Sequence, residues 1–346
     1  MADHAAAQLD IEAVETYLTA HIPGFRGPIE AEKTPTGQSN PTFLLSSPSG
    51  RYVLRRKPPG VLLKSAHAVD REFRVISALA ETDVPTPKTY VLCEDEDVLG
   101  TMFYVMARVE GGVWFDPALP DFDNDARAAM YDSMNAALAA LHMVDYNAVG
   151  LGDFGKPGSY FMRQFTRWTK QYRASETETI KPMDDLIAWL DETCPEEDTK
   201  STLVHGDYRI DNLIYHPAEP KVSAVLDWEL STIGQPISDL AYQIMQWMMP
   251  PGKVGRGLAG VDRKALGIPT DEEYVEAYMR RTGVTDIPEL NFAIVFSLFR
   301  SGAILQGVKK RGLDGNASNP EQAIRLGDKI PDIAEAGLAL IKAKGL

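Results

Sequence analysis

A chain of 346 residues, 44% hydrophobic and 24% charged, is long enough for two lobes and a large core. Its net charge of −14 argues against nucleic acid or an anionic membrane as the main partner. The cysteines Cys93 and Cys194 have no metal spacing and fit reduced thiols in a cytoplasmic protein, and neither a signal peptide nor a membrane span is expected. Leu9 to Ile22 has helical periodicity, with Asp10 placed to cap it and Pro23-Gly24 to end it. Strands are expected near Ile29–Lys33, at Thr42–Ser46 and at Arg51–Lys57, the last two joined by a Ser-Pro-Ser-Gly turn. Alternation puts Val53, Arg55 and Lys57 on one face of the third strand and Tyr52, Leu54 and Arg56 on the other. Ala66 to Thr82 reads as a helix, with Val69, Phe73, Ile76 and Leu79 in register. Strands at Thr89–Cys93 and Thr101–Val109 flank an acidic turn, Glu94–Gly100. Helices are then expected at Asp125–Met143, Tyr160–Tyr172 and around Asp184–Glu192. Another opens at Pro236, and three more lie near 271–282, 289–310 and 320–344.

The chemistry concentrates between Leu203 and Tyr242. Two apolar runs, Leu213–Tyr215 and Val222–Leu226, are separated by the turn-forming HPAEP, which predicts a hairpin. A hairpin returns the chain to its start, so Asn212 comes beside Asp227, with Asp207 in the loop leading in. Two carboxylates and an amide oxygen then share a small volume. Phosphoryl transfer needs such a set. One carboxylate takes the proton of the attacking hydroxyl, and the other, with the amide oxygen, holds Mg²⁺ against phosphates.

HGDYRIDNLIY followed by LDWELSTIGQPISDLAY resembles the aminoglycoside phosphotransferase and choline kinase superfamily, which has a protein-kinase-like fold. Within it, the chain is similar to the kinase-like domains fused to some acyl-CoA dehydrogenases. The likeness runs from about Pro35 to Tyr242, with weaker support beyond. It implies a two-lobed α+β fold. Residues 1–111 would form a nucleotide-binding lobe of antiparallel sheet plus helix, and residues 112–346 a larger, mostly helical lobe for catalysis and acceptor binding. The implied cofactors are ATP and Mg²⁺, with Asp207 as base and Asn212 and Asp227 on the metal. Gly37, Gln38, Ser39 and Asn40 fall where a loop closes over the nucleotide phosphates, although the same residues also read as an ordinary hairpin turn. The third strand should carry the phosphate-binding cation. The family usually has Lys where this chain has Arg55, and Lys57 on the same face is the reserve candidate. Glu72 fits the helix glutamate that pairs with that cation. Met106 and Arg108 fall at the hinge, where backbone groups meet adenine. Asp239 resembles a brace for the catalytic loop, and His205 is expected to buttress it.

The acceptor is expected to be a small-molecule hydroxyl. Arg163, Arg167 and Lys170 form a basic stripe on the helix at 160–172, opposite Phe161, Phe165, Trp168 and Tyr172. Two readings stay open: a solvated back to a core-facing helix, or a surface for an anionic acceptor. With the likeness to acyl-CoA dehydrogenase-fused domains, the second points to a hydroxyacyl group on coenzyme A. The alternatives are an aminoglycoside-type kinase, a pseudokinase without turnover, and a metal-dependent hydrolase using His205, Asp207, His216 and Asp227.

Overall fold

The computed structural model describes residues 9–34, 40–58, 68–196, 200–252, 256–317 and 319–346. Helix α1 (Ile11–His21) starts where the Asp10 side chain accepts from the Ala13 amide at 3.0 Å. Five antiparallel strands follow: β1 (Glu30–Lys33), β2 (Thr42–Ser47), β3 (Gly50–Arg56), β4 (Thr89–Cys93) and β5 (Phe103–Ala107). Their order in the sheet is β1-β2-β3-β5-β4. Helix α2 (Val69–Ala78) links β3 to β4. The acidic turn before β5 holds a one-turn helix, α3 (Glu96–Leu99), capped by Asp95 and closed by left-handed Gly100.

The two-residue strand period sorts the sheet's side chains. Tyr52, Leu54, Phe103 and Val105 pack with Val14 and Leu18 of α1. Val53, Tyr104 and Met106 belong to a second apolar cluster on the opposite face, with Val69 and Ile76 of α2. That cluster continues into the helical half of the molecule. Arg55 shares the face of Val53, so its side chain leaves the sheet towards α2 and the second half.

The helical half comprises α4 (Asn124–Met143), α5 (Tyr160–Ser175), α6 (Lys181–Thr193), α7 (Ile237–Met248), α8 (Asp271–Thr282), α9 (Leu290–Leu313), α10 (Pro320–Gly327) and α11 (Ile330–Lys344). Helix α9 is the hub and packs against α5, α6, α7, α10 and α11. By length and composition α9 could cross a membrane, and 67% of its most apolar window is buried inside the protein. The single helix expected near 320–344 is two helices. Pro331 lacks an amide hydrogen and fits only a first turn, so a new helix begins beside it.

Two small ladders complete the fold. Strands β7 (Leu213–Tyr215) and β8 (Val222–Val225) form the expected hairpin. Strands β6 (Thr202–Val204) and β9 (Thr232–Gly234), not expected from the sequence, pair outside it. Gly111 has φ +146°, and a Cβ there would lie 2.0 Å from the Tyr215 carbonyl oxygen, so only glycine fits. Gly112 and Tyr215 then exchange N–H···O bonds of 3.0 and 2.9 Å, which tie the crossing to the hairpin.

Candidate active site

The loop expected to be catalytic leaves β6 at His205 and is held from below. The Asp239 carboxylate, in the first turn of α7, accepts from the His205 amide at 2.6 Å and the Gly206 amide at 2.8 Å. Its third neighbour is His142 Nε2 at 3.3 Å. Burial would raise the Asp239 pKa, but the His142 hydrogen bond and charge, with His205, outweigh it and hold it below the ordinary value. Gly206 is left-handed, φ +85°, and a side chain there would meet the Leu230 carbonyl. Both ring nitrogens of His205 are engaged. Nε2 bonds the Leu226 carbonyl at 2.9 Å, and Nδ1 accepts from the Asp207 amide at 3.2 Å. His205 thus links the loop before Asp207 to the strand end before Asp227 and has no nitrogen left for a metal. His216 sits at the far end of the hairpin, where its Nδ1 accepts from the Ala218 amide. The hydrolase ligand set therefore does not converge.

Asp207, Asn212 and Asp227 come together. A 3-10 turn, Ile210–Asn212, brings the Asn212 amide back onto Asp207, where Nδ2 donates to the Asp207 carbonyl at 2.8 Å and to Oδ2 at 3.0 Å. The Asn212 side-chain oxygen is left as an acceptor. The Asn212 carbonyl accepts from the Leu226 amide at 2.8 Å, which fixes Asp227 next along the chain. Asp227 is left-handed, φ +65°. From the sheet, Arg55 reaches Glu72 Oε1 with Nη1 at 2.9 Å and Asp227 Oδ1 with Nη2 at 3.4 Å. Burial pushes the Glu72 carboxyl up to about 7 against the pull of Arg55. Lys57 turns instead to Asp70 at the start of α2, 3.8 Å away. Of the two candidate cations, Arg55 is the one between the helix glutamate and Asp227.

Gly37, Gln38 and Ser39 lie outside the described residues. Asn40 is fully buried, and its carbonyl accepts from Thr42 Oγ1. At the hinge, Met106 is buried in the sheet. The Arg108 amide donates to the Arg51 carbonyl at 3.1 Å, so this N–H is taken up by β3.

A cavity of about 1040 Å³ opens on Asp207. Its walls come from the catalytic loop, α7, α9, α10 and α11. Sequence reasoning missed most of its polar residues. Arg209 Nε stands 3.5 Å from Asp207 Oδ2 and 3.1 Å from Asp211 Oδ1, and Arg256 Nη1 is 2.6 Å from Asp211 Oδ2. Arg209 and Asp211 were visible as the second and fourth residues after Asp207, but nothing local predicts Arg256 or Arg300. The basic stripe does not line this cavity. Phe161, Phe165 and Tyr172 are buried and Arg167 and Lys170 exposed, while Arg163 bonds the Lys156 carbonyl. Arg167 and Lys170 thus lie on the solvated back of a core helix, away from the cavity on Asp207.

The model for the phosphotransferase enzyme family matches residues 30–292. The chain is 45% identical over 327 residues to acyl-CoA dehydrogenase family member 10 of Mus musculus, covering 93% of this chain and 30% of that protein. It thus spans about a third of the length of that relative. A crystal structure from Ralstonia eutropha, provisionally assigned as an aminoglycoside phosphotransferase, is 49% identical with a TM-score of 0.88, covering 97% of this chain and 99% of the other. Aminoglycoside phosphotransferase APH(4)-Ia, in complex with AMP-PNP and hygromycin B, shares the fold at 16% identity and a TM-score of 0.60, covering 94% of this chain and 99% of the other. With the kinase-like fold and the Asp207–Asn212–Asp227 site in place, the chain belongs to the phosphotransferase enzyme family.

Proposed function

We propose that this protein is an ATP- and Mg²⁺-dependent phosphotransferase for a small-molecule hydroxyl, with hydroxyacyl-CoA as its acceptor class. One observation carries the reading: a continuous set of hydrogen bonds joins Asp207, Asn212 and Leu226 next to Asp227, facing the Arg55–Glu72 pair. The residues fit the cofactor. The Asn212 side-chain oxygen and the Asp227 carboxylate are hard oxygen donors suited to Mg²⁺. The Arg55 guanidinium, already beside Asp227, is a phosphate-binding cation whose buried Nε has no hydrogen-bond partner. Mg·ATP, when bound, supplies the phosphoryl group and the charge that neutralises it in transfer. Asp207 accepts the proton of the acceptor hydroxyl as its oxygen bonds to phosphorus and the bond to the departing ADP breaks. Asn212 and Arg209 hold the Asp207 carboxylate in place.

The cavity supports the acceptor class. Met245, Met249, Ile304, Leu305 and Ile333 offer an apolar wall for an acyl chain. Five cations line it (Arg209, Arg256, Arg300, Arg325, Lys329) against three acids (Asp207, Glu321, Asp332). That balance disfavours a polycationic aminoglycoside and suits the phosphates of coenzyme A. Transfer from ATP should therefore be measured with hydroxyacyl-CoA compounds and with kanamycin. Asp207→Asn should keep Mg·AMP-PNP binding and lose transfer, whereas Asp227→Ala should lose the Mg²⁺-dependent binding itself. Near-normal turnover by Asp207→Asn would sink the role of the base. Preference for kanamycin would sink the acceptor class alone.

A further inference from the structure

The cavity wall holds a buried charge that no carboxylate among the described residues neutralises. Arg300, on α9, is 6% exposed and lines the cavity. Its Nη2 donates to the Gly206 carbonyl, one residue before Asp207, and its guanidinium lies 4.8 Å from the centre of the Tyr242 ring. Among the described residues no carboxylate lies within ion-pair distance of it, and its buried Nε has no hydrogen-bond partner. Arg209 and Arg256, in the same cavity, both have carboxylate partners. A buried cation without a counter-ion bears an uncompensated desolvation penalty. A carbonyl and an aromatic face offset only part of it.

An anion supplied by the ligand would offset the rest. The charge on the phosphoryl group in flight is one source, but the surroundings favour another. Arg209 is the guanidinium that feels both Asp207 and Asp227, the two carboxylates that bracket the transfer. Arg300 lies over the Tyr242 ring among the apolar residues of α7, α9 and α11, and neither Asp207 nor Asp227 is among its ion-pair partners. We infer that Arg300 binds an anionic oxygen of the acceptor, a carboxylate or phosphate on the molecule whose hydroxyl faces Asp207. The inference rests on the phosphotransferase reading only in calling the occupant an acceptor.

The test is a calorimetric titration of the full chain with octanoate, octyl phosphate and octanol, which share a chain and differ in head group. An anion should bind roughly ten- to a hundredfold more tightly than octanol, the range for hydrogen bonds to a charged group. The tighter of the two anions identifies the oxygen. Arg300→Gln should bring the anions down to the level of octanol, and Arg300→Lys should keep part of the preference. A residue that only braced Gly206 would on substitution lower the Tm and leave the ratio of anion to alcohol unchanged, and that result overturns the inference. So does a wild-type protein that binds the anions no better than octanol, a comparison that needs no variant to fold. Mg·AMP-PNP is titrated in parallel. Nucleotide binding without anion preference overturns this inference alone. Anion preference without nucleotide binding upholds the Arg300 site and overturns the phosphotransferase reading.

Discussion

Replacing Glu72 by Gln should change how stability depends on pH. In the folded protein the Glu72 carboxyl is 1% exposed and its pKa lies at about 7, against 4.5 for an unburied glutamate. Between those values the folded state keeps a proton that the unfolded chain releases. Stability from this group is therefore fully present below pH 4.5 and lost as pH rises through 7. The full effect is about 3 kcal/mol, at ~1.4 kcal/mol for each pH unit between the two values, and about 2 kcal/mol of it falls between pH 5.5 and 8. Gln keeps the shape and does not titrate. Urea unfolding followed by tryptophan fluorescence should show the Glu72→Gln protein gaining about 2 kcal/mol on wild type across that range. A difference between the two proteins that stays flat from pH 5.5 to 8 would refute the buried, proton-holding carboxyl. A difference that moves the other way would mean that Arg55 dominates and holds Glu72 ionised.

Arg55→Ala should raise the KM for ATP at least about tenfold, the range for a charge-assisted contact, while Lys57→Ala should change it less than about twofold, since its long, half-exposed ion pair with Asp70 contributes little. The reverse pattern would mean that the strand presents the other cation. Asp239→Ala removes a buried acceptor from two backbone amides and from His142, and should cost about 3–5 kcal/mol in urea unfolding; a loss below about 1 kcal/mol would show that the loop holds itself. Charge reversal at Arg163 and Arg167 together should leave the KM values for both acceptor and ATP unchanged in steady-state kinetics, because neither side chain lines the cavity. A raised acceptor KM would restore the basic stripe as an acceptor surface.

The core of the site was legible because it is local. Asp207, Asn212 and Asp227 lie within one hairpin and its approach, and the turn residues of HPAEP announce that hairpin. Strand alternation separated Arg55 from Arg56 without any knowledge of what either side chain meets. The cavity was not legible. Arg300 and Arg256 come to the cavity that Asp207 lines through packing of α9 and the loop after α7, and no spacing in the chain encodes that placement. Strands β6 and β9 are three residues each, too short to show a period, and their pairing depends on the hairpin between them. The break between α10 and α11 could have been read from Pro331, which the periodicity of 320–344 overrode. On α5 the aromatic and basic faces were assigned correctly, but charge on a solvated helix face says nothing about what approaches it.

The Gly112–Tyr215 pairing has a consequence for synthesis. The sheet and α2 leave the ribosome well before Tyr215, before Val225, whose amide bonds the Pro85 carbonyl, and before the Trp228–Leu230 turn that packs on α2. Until those residues arrive, the apolar cluster that holds Val53, Tyr104 and Met106 lacks Leu213, Tyr215, Val225 and Trp228. A nascent or truncated chain ending near Gly112 would thus present an unfinished apolar face, the kind of surface that recruits chaperones or aggregates. The half that carries Arg55 and Glu72 is completed by the segment that carries Asp227, so maturation of the candidate site and of the fold is one event.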